Sequence, residues 1–214
     1  NEDILSSPKL VIDFVKAKNC ARFSISGSSK YVFLDRIKSL DELSLLPNIK
    51  KKVSQWKEQL AKRYMTDSGE WWNWATVRNF DLFKEKSQDS KIFVPCMDRS
   101  EVQRFSHTKN AVYGSGDVLM ITKKSNIRED MLFVLAWLNS SFINKWYHIK
   151  GSKKGQRIQY TQSYVSKIPF RMINWDNKDE VDTHNRIVSL VSELISGNAA
   201  NEEKIDALID KLIK

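Results

Sequence analysis

Lys150, Lys153, Lys154 and Arg157 follow one another closely in "KGSKKGQRIQYTQ", with Gln156, Gln159, Tyr160, Thr161 and Gln162 among and after them. Ammonium and guanidinium heads spaced along a chain can neutralise successive phosphates of a nucleic acid. Gln can pair two hydrogen bonds with adenine and Arg can do so with guanine, so base reading is chemically available in the same segment. The surrounding charge agrees: from Ile143 to Arg171 there are seven basic residues and no acid, whereas from Asp176 to Lys214 nine acids face five bases. The 214-residue chain carries a formal charge of +9, so most of its excess lies in one stretch, as a phosphate-contacting surface requires. The plain alternative is a solvated loop; the long run without acids favours binding.

Catalytic patterns are missing. Neither G-x-x-x-x-G-K-[ST] nor G-x-G-x-x-G occurs, and "GSKKG" lacks the strand-then-helix setting of a phosphate cradle. His107, His148 and His184 are isolated from one another and from Cys20 and Cys96, which indicates neither a metal centre nor a disulfide framework. Glu202 and Lys204 form a nuclease-like E-x-K, but they open a short amphipathic helix, where acids favour the N-terminus. No G-x-S-x-G elbow is present. The chain is thus expected to hold no catalytic residue, metal, cofactor or small-molecule substrate of its own. No apolar run approaches the ~20 residues of a membrane span, the first residues lack the charged-then-apolar pattern of a signal peptide, and two unpaired cysteines suit the cytoplasm. The start on Asn1 suggests a piece of a longer protein.

Elements must position these residues. "PNIKKKVSQWKEQLAKRY" predicts an amphipathic helix over 47–64: Pro47 suits its first turn, Ile49, Val53, Trp56, Leu60 and Tyr64 form one face, and Lys50, Lys51, Lys52, Lys57, Lys62 and Arg63 the other. "YVFL" reads as a strand after the turn at Gly27 to Ser29. "KIFVP" (91–95) and "DVLMIT" (117–122) read as strands of a compact sheet, with Gly114 and Gly116 turning into the second. A long buried helix is predicted from an Asn126 cap, with Glu129 three residues on, to Tyr147; Leu135, Leu138, Phe142 and Trp146 line one face. Glycines 151 and 155 then loosen a basic loop, and helices over 179–195 and 201–213 form a C-terminal hairpin. The fold class is α+β: a compact, mainly antiparallel sheet braced by a long buried helix, with an N-terminal connecting helix and a C-terminal helical hairpin. The segments are 1–66 (connecting), 67–175 (recognition) and 176–214 (helical tail).

"GEWWNWATVR" packs Trp71, Trp72 and Trp74 together. On a strand Trp72 and Trp74 share one face and Trp71 takes the other, so the three rings cannot serve one ligand and core packing is expected. Arg78 at the end of this stretch is a phosphate-contact candidate.

In order, "PNIKKKVSQWKEQLAKRY", "GEWWNWATVR", "SKIFVPCMDRSEVQRFS", "LFVLAWLNSSFINKWY" and "GQRIQYTQSYVSKIPF" resemble the C-terminal target-recognition region of TaqI-like and Eco57I-like type II (IIG) restriction-modification DNA methyltransferases. That family has a helix ending in Leu-x-x-Arg, an aromatic pair, a K-I-x-x-P strand, a helix with Leu-Asn-Ser and a segment ending in x-I-P. Here these are Leu60 to Arg63, Trp71 with Trp72, Lys91 to Pro95, Leu138 to Ser140 and Lys167 to Pro169. The resemblance implies a module that grips duplex DNA and sets which sequence is modified, beside a separate domain that binds S-adenosylmethionine and holds a flipped adenine through an Asn-Pro-Pro-Tyr-type motif. Pro8, Pro47, Pro95 and Pro169 are never adjacent, so that chemistry, and any nuclease, is expected in the parent's own catalytic domain outside this chain.

The resulting expectation is that the 150–162 loop faces duplex DNA, with Lys150, Lys153 and Lys154 on phosphates and Gln156, Arg157, Gln159 or Gln162 on base edges, Tyr160 standing among them. Arg99, Arg104, Lys123 and Lys124, near strand ends, are second-rank contacts. Two other classes stay open: a protein-interaction module docking through exposed tryptophans and the C-terminal helices, and an RNA-binding domain, although no aromatic RNP-like strand pattern is present.

Overall fold

Lys91–Pro95 is buried at all five positions without alternation, as a strand covered on both faces must be. In the computed structural model, which describes residues 2–63, 69–74, 80–197 and 202–213, this strand is central in a sheet ordered Phe23–Ser24, Ser106–Thr108, Lys91–Pro95, Val118–Thr122. All neighbours are antiparallel except Phe23–Ser24, which runs parallel to Ser106–Thr108. A second, three-stranded sheet is ordered Met97–Asp98, Arg157–Gln159, Ser152–Lys154, antiparallel throughout. The architecture is α+β with mainly antiparallel sheets.

The chain forms two compact units, residues 1–14 with 29–85, and residues 15–28 with 86–214. The segments 1–66, 67–175 and 176–214 therefore distribute over two units, and the C-terminal helices share a unit with the sheets.

In the first unit residues 11–14 pair antiparallel with Ser29–Val32, and Leu10, Ile37, Leu43, Leu46, Ile49 and Trp72 form the core. The predicted helix over 47–64 is two helices, Pro47–Ser54 and Lys57–Ala61. Trp56 lies at the break and is 55% exposed, not on an apolar face; Tyr64 lies outside the described residues. Pro47 opens the first helix, and Leu46 offers no cap. The buried Asp3 carboxylate supplies it from afar, accepting from the Ile49 amide at 2.8 Å and Asn48 Nδ2 at 3.1 Å, a negative group at the positive helix end.

The tryptophans occupy a turn rather than a strand, closed by Asn73 N to the Glu70 carbonyl at 2.9 Å. Core packing holds where it matters: Trp72 is 2% exposed and donates from Nε1 to the Ile37 carbonyl. Trp74 stacks on Phe14 and meets Tyr31 and Phe33 edge-on. Arg63, predicted on an outer cationic face, instead donates to the carbonyls of Trp71 and Asn73, so the Leu-x-x-Arg motif clamps the aromatic pair.

In the second unit the predicted long helix is divided at Ser140 into Met131–Asn139 and Ser141–Lys150. Its start is capped by Asp130, not Asn126: the Asp130 carboxylate accepts from the Leu132 amide. The Ser140 hydroxyl donates to the Trp137 carbonyl and accepts from the Ile143 amide, ending one helix and starting the next. Asn139 pairs with the Phe105 backbone through both amide atoms, at 2.8 and 3.2 Å. Leu-Asn-Ser is thus a brace between helix and sheet.

The remaining motifs are also braces. Lys91 is fully buried and donates to the Ser87 and Asp89 carbonyls; burial lowers its pKa. Trp137 Nε1 reaches the Pro169 carbonyl at 2.7 Å. The C-terminal helices, Lys178–Ile195 and Glu202–Ile213, bury Ile187, Leu190, Val191, Ile205, Ile209 and Leu212 in this unit's core. Glu202, of the E-x-K, accepts from Arg22 Nε at 2.6 Å, and Arg22 also donates to the Gln103 and Asn139 carbonyls.

Candidate nucleic-acid interface

The glycine-hinged loop is a β-hairpin. Ser152–Lys154 and Arg157–Gln159 pair antiparallel with Lys154 opposite Arg157, Lys153 opposite Ile158 and Ser152 opposite Gln159. The connection is Gly155-Gln156, with Gly155 at φ 61° and no positive φ at Gln156, the pattern of a type II′ turn, which matches strand twist. Gly151, at the hairpin's entry, has no room for a side chain, because a Cβ there would strike the Tyr147 ring and carbonyl.

Period-two alternation sorts the side chains. Lys154, Arg157, Ser152 and Gln159 share one face, where the Ser152 hydroxyl donates to Gln159 Oε1 at 3.3 Å. Ile158 points the other way and is buried with Tyr160. The third strand adds Arg99: Asp98 pairs with Ile158, so Arg99, one residue on, comes beside Arg157. Arg99, Arg157 and Lys154 are all exposed and form a row of cations across adjacent strands, spaced roughly 5 Å apart. Lys150 and Lys153 are exposed at the hairpin's entry, Gln156 at its tip and Gln162 just after it.

Arg99 is held by its neighbours. Asp98 accepts from the Ser100 amide and hydroxyl at 3.0 and 2.9 Å and from Arg104 through a two-point contact, Nε to Oδ2 at 2.9 Å and Nη2 to Oδ1 at 3.0 Å. Burial alone would raise the Asp98 pKa; Arg104 and Ser100 outweigh it and hold the carboxyl below its usual range. Arg104, a second-rank contact candidate, is engaged within the fold. Its guanidinium is committed to Asp98 and to the Cys20 carbonyl, and it positions the strand that carries Arg99.

Tyr160 is corrected likewise. It is 1% exposed, meets Phe105 and Tyr147 edge-on, and has its pKa raised by burial; it anchors the hairpin to the core. Lys123 and Lys124 are exposed, but strand register pairs Lys91 with Thr122 and Pro95 with Val118. They sit past the Lys91 end of the sheet, whereas Met97–Asp98 continues from the Pro95 end, so the structure does not bring them to the hairpin. Lys123 donates to the Glu129 carbonyl. Arg78 lies outside the described residues.

Among the described residues no three His, Cys, Asp or Glu side chains gather to hold a metal ion, and no helix is long and apolar enough to cross a membrane. His107 is buried against Ser90, its Nε2 2.7 Å from the hydroxyl, and burial, then Lys109, lower its pKa to about 4. Cys20 is pushed up to about 11 by burial. What the geometry offers is a braced, cation-lined sheet face suited to a polyanion.

No family model matches the chain. It is 32% identical, over all of its length, to Type II methyltransferase M.MjaIV of Methanocaldococcus jannaschii, of which it covers 72%. Over 85% of its length it is 35% identical to Type II methyltransferase M.HindII and 33% identical to M.HincII, both of Haemophilus influenzae, covering 36% and 37% of them. The chain belongs to the type II restriction-modification methyltransferases, and it spans little more than a third of the two Haemophilus relatives. Its fold is similar over its whole length to part of the Type IIL restriction-modification enzyme MmeI, solved in complex with DNA, with a TM-score of 0.64, 14% identity and 30% of that chain covered.

Proposed function

We propose that this chain is the target-recognition region of a TaqI-like or Eco57I-like restriction-modification adenine-N6 methyltransferase, and that it binds duplex DNA through the Ser152–Gln159 hairpin. The observation that carries this reading is the exposed row Arg99, Arg157, Lys154 on a braced sheet face, in a chain of this family. The solved DNA complex of a protein with the same fold supports DNA as the partner.

In this reading Lys150, Lys153, Lys154 and Arg99 neutralise phosphates and fix register, which carries no sequence information by itself. Gln156, at the turn, and Arg157 and Gln159, on the outward face, read base edges. Ser152 orients the Gln159 amide. Pro47 opens a helix, Pro95 ends a buried strand and Pro169 holds Trp137, so none of the three belongs to an Asn-Pro-Pro-Tyr loop that would hold a flipped adenine. The cofactor, the flipped adenine and any fused endonuclease belong to the parent's catalytic domain, in the cytoplasm.

The test is a gel-shift on duplex DNA across a salt series. With four or five phosphates neutralised, log affinity falls with log salt at a slope of roughly −4. Lys154→Ala weakens binding to all sequences alike, whereas Gln159→Ala changes preference by about 1–3 kcal/mol. A flat salt dependence would sink the proposal.

A further inference from the structure

Trp56 is the one tryptophan that the amphipathic pattern turns inward and the structure turns outward. The break between Pro47–Ser54 and Lys57–Ala61 falls on it, at φ −113° and ψ 10°, with neither proline nor glycine there. It is 55% exposed, whereas Trp72 in the same unit is 2% exposed. Among the described residues Trp56 belongs to neither hydrophobic core cluster.

Its surroundings are cationic. From Asn48 to Arg63 six bases stand against a single acid, Glu58. Two of the six are committed: Arg63 to the Trp71 and Asn73 carbonyls and Lys50 to the Ser44 hydroxyl. Lys51, Lys52, Lys57 and Lys62 are exposed along both short helices, Lys57 with its ammonium over the Trp71 ring at 5.6 Å. An exposed indole within a lysine-rich run suits a nucleic-acid strand, since phosphates meet the lysines and a sugar or base face meets the ring. An apolar protein partner would leave those four charges without a counterpart.

We infer that Trp56, with Lys51, Lys52, Lys57 and Lys62, forms a second nucleic-acid contact, in the first unit, where the indole packs against the strand and the lysines hold its phosphates. This rests on the chain being a DNA-binding module but uses none of the hairpin's residues, so the two readings fail separately. The contact recognises backbone and ring face, not base edges, and is therefore indifferent to sequence.

The experiment compares the intrinsic fluorescence of the unaltered chain with that of Trp56→Phe during titration with a random-sequence duplex and with one of its strands alone. The difference signal, which belongs to Trp56, should be quenched as DNA binds. Trp56→Ala should weaken binding about tenfold, equally on all sequences, and Lys51→Ala with Lys52→Ala should lower the salt slope by about 2. Equal quenching of the unaltered chain and Trp56→Phe, or full affinity in Trp56→Ala, overturns the inference. A hairpin variant, Lys154→Glu, separates the readings: if it leaves binding intact while Trp56→Ala does not, the hairpin reading fails and this one stands.

Discussion

Lys154 and Arg157 stand directly opposite each other across the hairpin, both exposed, on the same face. Like charges placed so are destabilising, while an opposite pair contributes about 0.2–1 kcal/mol. The arrangement costs the fold something that an anion relieves. Lys154→Glu should therefore act in two directions: urea unfolding reports a gain of about 0.5 kcal/mol, while the salt slope of duplex binding falls by about 1. A less stable variant that binds as before would remove the functional reading of this row.

Arg104 behaves differently, although charge alone ranks it with Arg99. Asp98, with a side chain 3% exposed, has Arg104 as its ion-pair partner. Arg104→Met leaves a buried carboxylate without that partner, a loss of about 3 kcal/mol, and Asp98→Asn in the same chain should restore part of it. Equilibrium unfolding measures both. The salt slope of DNA binding at low temperature, where the variant is folded, should stay unchanged; a slope reduced by about 1 would show that Arg104 meets a phosphate after all.

The sequence carried the larger elements well, because their signals are long. The strands at 91–95 and 118–122 and the last two helices follow from apolar runs and 3.6-residue periodicity. What it hid depends on partners distant in the chain. Ser140 becomes a double cap only when its hydroxyl turns to two backbone groups. Asp3 caps a helix whose start lies more than forty residues on. In the candidate site, the cations of the hairpin were legible from composition. Tyr160 was misplaced because polar neighbours masked an alternation, Ile158 in, Gln159 out, Tyr160 in, that was available once the segment was read as a strand. Arg99 owes its place to the short pairing of Met97–Asp98 with Ile158 and Gln159, too brief to leave a periodic trace.

Asn139 offers a test of the brace between helix and sheet. It is 1% exposed, and its amide satisfies both the Phe105 N–H and carbonyl. Asn139→Ala orphans the buried Phe105 N–H, while the Phe105 carbonyl keeps the Phe23 amide at 3.0 Å, so thermal and urea unfolding should show a loss of about 1–3 kcal/mol. Asn139→Asp keeps the acceptor and should lose less at low pH, where the acid is protonated and can donate again. Stability equal to the unaltered chain in Asn139→Ala would mean that the Phe105 N–H finds another partner.

His107 predicts how stability follows pH. Its folded pKa lies at about 4, below the usual 6.5, because burial disfavours the cation and Lys109 adds to the effect. A depressed value means that the unfolded chain binds the proton more tightly. The contribution is therefore present above pH 6.5 and is lost as pH falls toward 4, where the folded imidazole also titrates. Between pH 7 and pH 5 this linkage amounts to about 2 kcal/mol. Asp98, held below the ordinary carboxylate range, adds its own loss only at lower pH, as the solution approaches and then passes the usual carboxylate value. Urea unfolding at pH 7 and pH 5 separates the two: His107→Gln, which can keep a hydrogen bond to the Ser90 hydroxyl, should flatten the dependence in that interval and leave the acid limb below pH 4 in place. An unchanged slope between pH 7 and pH 5 in His107→Gln would assign the dependence to another group.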